Sequence, residues 1–158
     1  MTEETPTEFI HRLMPLCATL GIRALGFAPG QVELAVDWAP GLCTSDGVLH
    51  GGIVMTLADS AAAVCAYLNL PPGAGTATIE GKTNFIAAIR SGSATATSRP
   101  VHVGGRTIVI ETDVRTADGR LAARTIQTQA VLAGPASAPS ASAPSASEPA
   151  SSGPHQGK

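Results

Sequence analysis

Apolar residues recur at helical spacing near the start of the chain, at Phe9, Leu13, Leu16 and Leu20, preceded by Thr7 and followed by Gly21. This spacing predicts a helix over 8–20, capped by Thr7 and stopped by Gly21. Residues 22–38 alternate weakly around Ala28-Pro29-Gly30, which predicts two short strands joined by a turn. Pro40-Gly41 and Ser45-Asp46-Gly47 then mark a long loop. The helix expected after it, over 51–69, is hydrophobic on every side and stops before Pro71-Pro72-Gly73. Beyond that point the pattern is β throughout, over 77–85, 93–103, 106–116 and 121–132. Gly104-Gly105 and Asp118-Gly119 provide tight links, because these residues tolerate positive φ. A helix, a pair of strands, one long apolar helix and a four-strand meander predict an α+β fold, with an antiparallel sheet wrapped around the central helix.

One residue breaks this pattern. Asp59 lies within the run His50-Gly51-Gly52-Ile53-Val54-Met55-Thr56-Leu57-Ala58-Asp59-Ser60-Ala61-Ala62-Ala63-Val64, and no other permanent charge occurs between Gly47 and Ile79. An unpaired carboxylate is costly in apolar surroundings. Its presence there calls for either a chemical role or a hidden structural partner such as an arginine.

Composition narrows the possible partners. The chain has 158 residues with ten Lys and Arg against twelve Asp and Glu, a net charge of −2, and the cations are scattered. This distribution argues against nucleic acid or an anionic membrane as the main partner. The segment 133–158 is almost entirely Ala, Pro, Ser and Gly, so it is expected to be a disordered tail behind a folded domain, 1–132. Thr2-Glu3-Glu4-Thr5 is acidic and no apolar stretch follows it, so no secretory leader is expected. Cys17, Cys43 and Cys65 make an odd set of three without a C-x-x-C pair, which suits a reduced, cytoplasmic protein. The four histidines occupy unrelated contexts and suggest no metal site.

The stretch Gly47-Val48-Leu49-His50-Gly51-Gly52, followed by Leu57-Ala58-Asp59, resembles the signature of hotdog-fold acyl-CoA thioesterases of the phenylacetate-degradation (PaaI) type. The similarity continues through Thr83-Asn84-Phe85, Gly104-Gly105-Arg106-Thr107 and Asp118-Gly119-Arg120-Leu121-Ala122-Ala123. It implies a hotdog fold, hydrolysis of an acyl-CoA, a homodimer or homotetramer, and an active site at the dimer interface. No separate cofactor is implied, since CoA belongs to the substrate.

Helical geometry gives the interface a motive. Gly51 and Asp59 are eight residues apart on one helix, about 12 Å along its axis, too far to share one thioester carbon. Two such helices facing each other antiparallel about a two-fold axis would bring Gly51 of one chain near Asp59 of the other. The Gly51 backbone N–H, at a helix N-terminus, is then the candidate donor to the oxyanion. Asp59 would act either as general base on water or as nucleophile through an anhydride.

His50 would act in the chemistry or fix the helix entrance. The resemblance implies two more contributors. Thr44 stands six positions before the histidine, where relatives often carry Asn or Gln. Thr78 stands where a Ser or Thr orients the water from the partner subunit. For the CoA phosphates the loop 103–107 offers Arg106 and Thr107, while Arg90 and Lys82 lie beside the same strands as solubilising cations. Cys65 is expected to be a small core residue. An aryl or medium-chain acyl group is the expected cargo. The alternative is a non-catalytic acyl-CoA-binding module, favoured by the missing amide at Thr44; a hotdog dehydratase is a third, weaker fit.

Overall fold

The computed structural model describes residues 4–134. The expected tail lies outside the described residues apart from Ala133 and Gly134. The elements, in chain order, are α1 Pro6–Leu13, α2 Pro15–Thr19, β1 Arg23–Ala28, β2 Gln31–Asp37, α3 Gly51–Tyr67, β3 Gly75–Phe85, β4 Ser93–Val103, β5 Thr107–Thr116 and β6 Leu121–Leu132. Six strands form one antiparallel sheet in the order β1-β2-β4-β5-β6-β3. No helix among the described residues is long and apolar enough to cross a membrane.

The single helix expected over 8–20 is two helices. Pro15 disfavours helical geometry at Met14, which takes φ −130° and ψ 86° and parts α1 from α2. The cap is Thr5, not Thr7: its side chain accepts the Glu8 N–H, the Glu8 carboxylate accepts the Thr5 N–H, and Pro6 fills the first turn. The Thr7 hydroxyl instead accepts the Ala24 N–H and ties α1 to β1. Gly21, at φ 66°, does end the segment.

The expected four-strand meander is also corrected. Only β4-β5-β6 form one; β3 pairs with β6 at the far edge and β4 pairs with β2. The linker 86–92 contains no hairpin turn and crosses the bottom of the sheet beneath the start of α3. Ile86 and Ala87 N–H groups donate to the Ala122 carbonyl, the Leu49 N–H to Ile89, and the Trp38 N–H to Gly92.

The sheet wraps α3. Leu57, Ala58, Ala61, Ala62, Cys65 and Ala66 are buried against Leu34, Ala94, Ala96, Ile108, Ile110 and Ala123. The many alanines let the strands approach the helix closely. One stripe of α3 stays open, at Gly52, Met55, Asp59 and Tyr67, the spacing of a single helical face. Asp59 therefore lies on the one face that the sheet leaves uncovered rather than within the core. Beside that stripe runs β3, an edge strand on which Ile79 and Phe85 are both more than half exposed.

β3 also carries a bulge at Ile79. Thr78 pairs with Gln129 and Glu80 with Thr128, so one residue of β3 has no counterpart. Before the bulge, even-numbered residues face the helix; after it, Gly81, Thr83 and Phe85 do so, opposite Gln127, Thr125 and Ala123. Glu80 is turned outward, where its carboxylate accepts the Thr128 hydroxyl.

Candidate active site

Two clusters of the expected site residues form, at different places along α3. The first surrounds the helix N-terminus. The loop before α3 is fixed by His50 N–H to Leu42, Thr44 N–H to Val48, and the Trp38 indole N–H to the Gly47 carbonyl at 3.0 Å. His50 is the N-cap: its Nδ1 accepts the Gly52 N–H at 2.8 Å, so the neutral ring carries its proton on Nε2. Here His50 fixes the helix entrance. Ile53 and Val54 N–H groups bond back to the His50 carbonyl. The Gly51 N–H alone in this turn finds no acceptor among the described residues. It opens on a cavity of about 340 Å³ lined by Thr44, Gly51, Val54, Phe85 and Ala88. A Cβ at position 51 would meet the Phe85 ring at 3.2 Å, so glycine is what keeps the approach to that N–H clear.

The second cluster surrounds Asp59. The Thr78 hydroxyl donates to Oδ1 at 3.2 Å and the Gln127 amide to the same oxygen at 2.5 Å. Oδ2 has no partner among the described residues. Gln127, only 1% exposed, also bonds Thr78, and Gln129 donates to the Thr78 hydroxyl at 3.0 Å. This polar brace holds one carboxylate oxygen and leaves the other facing a cavity of about 310 Å³ lined by Met55, Thr56, Thr78, Thr83, Thr125 and Gln127. The sequence treats Asp59 as surrounded by apolar groups; the sheet supplies polar partners that helix periodicity does not show. Thr78, expected to act across the interface, touches the Asp59 of its own chain.

Gln127 is the residue that sequence reasoning missed. Its signal is the pair Gln127 and Gln129 on the same strand face as Ala123 and Thr125, an unusual place for two amides. The bulge completes the arrangement. In a regular strand Glu80 and Lys82 would follow Thr78 on the inner face and bring a second carboxylate beside Asp59; the extra residue brings Gly81 and Thr83 there instead.

The structure joins Thr44 to Gly51 and Thr78 to Asp59, but it does not join Gly51 to Asp59 within a chain: the two line separate cavities. Arg106 and Thr107 lie at the β4–β5 hairpin. Thr107 pairs with Ala130, whereas Phe85, which lies over Gly51, pairs with Ala123. Within one chain the hairpin is therefore about seven strand residues, roughly 23 Å, from the Gly51 end.

Cys17 and Cys65 are buried. Burial pushes the Cys65 thiol up to about 11, which suits a core residue and not a nucleophile. Among the described residues no group of three or more His, Cys, Asp or Glu is placed to hold a metal ion.

Known proteins resemble this chain in sequence and fold. The family model for the thioesterase superfamily matches residues 46–123, a span that contains His50, Gly51, Asp59 and Thr78 but not Thr44 or Gln127. A thioesterase family protein of Silicibacter pomeroyi is 30% identical, with a TM-score of 0.76 over 81% of this chain and 96% of that one. A thioesterase of Haemophilus influenzae is 25% identical, with a TM-score of 0.76 over 83% of this chain and 93% of that one. The 1,4-dihydroxy-2-naphthoyl-CoA hydrolase of Listeria monocytogenes is 30% identical over 98 residues, 62% of this chain and 80% of that protein. This chain belongs to the thioesterase superfamily and is a thioester hydrolase with the hotdog fold.

Proposed function

We propose that the protein is an acyl-CoA thioesterase of the PaaI type, acting in the cytoplasm as a homodimer or a pair of such dimers, with each active site shared between two chains. The observation that carries this reading is the division of the catalytic groups. A free helix N-terminal N–H and a braced carboxylate occupy separate cavities of one chain, one at the start of α3 and the other on its open stripe. Antiparallel apposition of two α3 helices unites each Gly51 with the Asp59 of the other chain. The exposed apolar groups flanking that face, Met55, Ile79, Phe85 and Ile86, and the open edge of β3 support such an apposition.

In the united site the thioester carbonyl oxygen meets the Gly51 N–H, which stabilises the negative charge that develops on attack. Asp59 Oδ2 takes a proton from water as the water adds to the carbonyl carbon, or attacks that carbon itself to give an anhydride that water opens. By either route the C–S bond breaks, CoA leaves as the thiol once protonated, and the acid remains. Thr78 and Gln127 hold Oδ1 in place. Thr44 lines the carbonyl end with a hydroxyl, at the position where the family resemblance often implies an amide, and His50 serves by capping the helix.

Incubation with a panel of aryl- and medium-chain acyl-CoAs in the presence of a thiol reagent tests the reading. Release of CoA is expected, lost in Asp59→Ala while acyl-CoA binding persists. Tight binding without turnover by the wild type would show a binding module instead.

A further inference from the structure

A third cavity, beyond the N-terminal end of α3, differs from the two above. It encloses about 390 Å³, and its lining includes Ala88, Arg90, Ser91, Thr116, Asp118 and Arg120. Both guanidinium groups are pinned by backbone carbonyls. Arg90 Nη1 donates to Asp46 at 2.6 Å, and Arg120 Nη2 donates to Ala88 at 3.3 Å. Neither has a carboxylate at ion-pair distance among the described residues, whereas Arg12, Arg23, Arg115 and Arg124 all do. The one acid in the lining, Asp118, accepts the Thr116 hydroxyl. Two oriented guanidiniums thus keep their charge and most of their donors for a ligand, and their fork geometry suits phosphate.

The position of the cavity indicates which phosphate. Ala88 lines both this cavity and the apolar one at Gly51, so the two are neighbours. From Phe85, over Gly51, to Arg90 is five residues, at most about 16 Å of extended chain, through Ile86-Ala87-Ala88-Ile89. In CoA a mostly apolar pantetheine arm of comparable reach joins the thioester sulfur to a diphosphate and a ribose 3′-phosphate. We infer that the Arg90–Arg120 cavity receives the phosphates of CoA, with the pantetheine arm lying along 86–89; this rests on the thioesterase reading above.

Calorimetry on the full chain with CoA and with adenosine 3′,5′-diphosphate, which has neither thiol nor pantetheine, tests the site without turnover. The wild type should bind both. Arg90→Glu and Arg120→Ala should each weaken CoA by about tenfold or more and abolish binding of the diphosphate, while Arg99→Ala, which removes the same charge elsewhere, should bind as the wild type does. If Arg120→Ala fails to fold, Arg120→Lys, which keeps the charge but not the fork, should weaken CoA less than Arg90→Glu does. Unchanged binding in folded Arg90→Glu, or a loss confined to Arg106→Ala, overturns the inference. Turnover is read separately, as kcat/KM for one acyl group carried on CoA against the same group on N-acetylcysteamine. Arg90→Glu should lower that ratio. A wild type that binds CoA through these arginines but hydrolyses neither ester retires the hydrolase reading and leaves the phosphate site standing. Hydrolysis indifferent to both arginines does the reverse.

Discussion

Two inactive variants of this protein should restore each other. Gly51 and Asp59 stand about 12 Å apart along α3, while attack on a carbonyl needs reacting atoms about 3–3.5 Å apart. Gly51→Val fills the space in which the substrate carbonyl must lie, since even a Cβ there stands 3.2 Å from the Phe85 ring. Loss of the oxyanion donor should cost about 10²–10³-fold. Asp59→Asn removes the base and should cost about 10²–10⁴-fold. Each homodimer then has two disabled sites. In a mixed dimer one site combines an intact Gly51 with an intact Asp59, and the other combines both lesions. Random assortment makes half the dimers mixed and half of their sites sound, so the mixture should show about a quarter of wild-type activity over a background near one per cent. The assay is CoA release from an acyl-CoA after co-expression, with differently tagged chains to isolate the mixed dimers. Purified mixed dimers without turnover would refute the reasoning, because they would show that both groups serve one chain.

Gln127→Leu should lower kcat by about 10–100-fold, the worth of a hydrogen bond of 1.5–3 kcal/mol to a charged group, with an unchanged oligomeric state; steady-state kinetics at wild-type activity would remove the brace from the mechanism. Asp113 is held below the usual carboxylate range, first by Arg124 and also by Arg115, and a depressed folded value means the stability is present above the ordinary 3.8 and lost as pH falls through the folded value. Arg124→Ala should therefore lower stability in urea unfolding at pH 7, and the gap should close below pH 3.8; a gap constant with pH would contradict the assignment. Native protein treated with Ellman's reagent at pH 8 should leave Cys17 and Cys65 unlabelled until it unfolds, because burial raises both thiols; rapid labelling of either would show that the core opens.

The parts of the fold legible in the sequence are those fixed by local chemistry. The apolar run after Gly51 could only be a helix covered over most of its surface, and Asp118-Gly119, with Gly119 at φ 85°, could only be a turn. The break at Met14-Pro15 was also legible, yet the apolar spacing of Phe9 to Leu20 runs straight across it. The place of β3 was not, because nothing within 75–85 distinguishes pairing with β4 from pairing with β6; the linker beneath α3 decides it. The same holds at the site. Asp59 announced itself as a lone charge, and Gly51 as a helix start, but Gln127 matters only because β6 lies under α3. Its distance of 68 residues from Asp59 in the chain leaves no local trace.

The unmatched residue at Ile79 makes β3 a strand whose identity depends on counting. Drawn into regular pairing, it would leave the composition unchanged and the strand still able to pair, yet Glu80 and Lys82 would turn toward the helix and Gly81 and Thr83 toward solvent. The lining beside Asp59 would change from small and neutral to doubly charged without one substitution. In this strand register is itself a chemical variable: absorbing the bulge rewrites the pocket more thoroughly than any single replacement within it, whereas excising Ile79 leaves every pair in place.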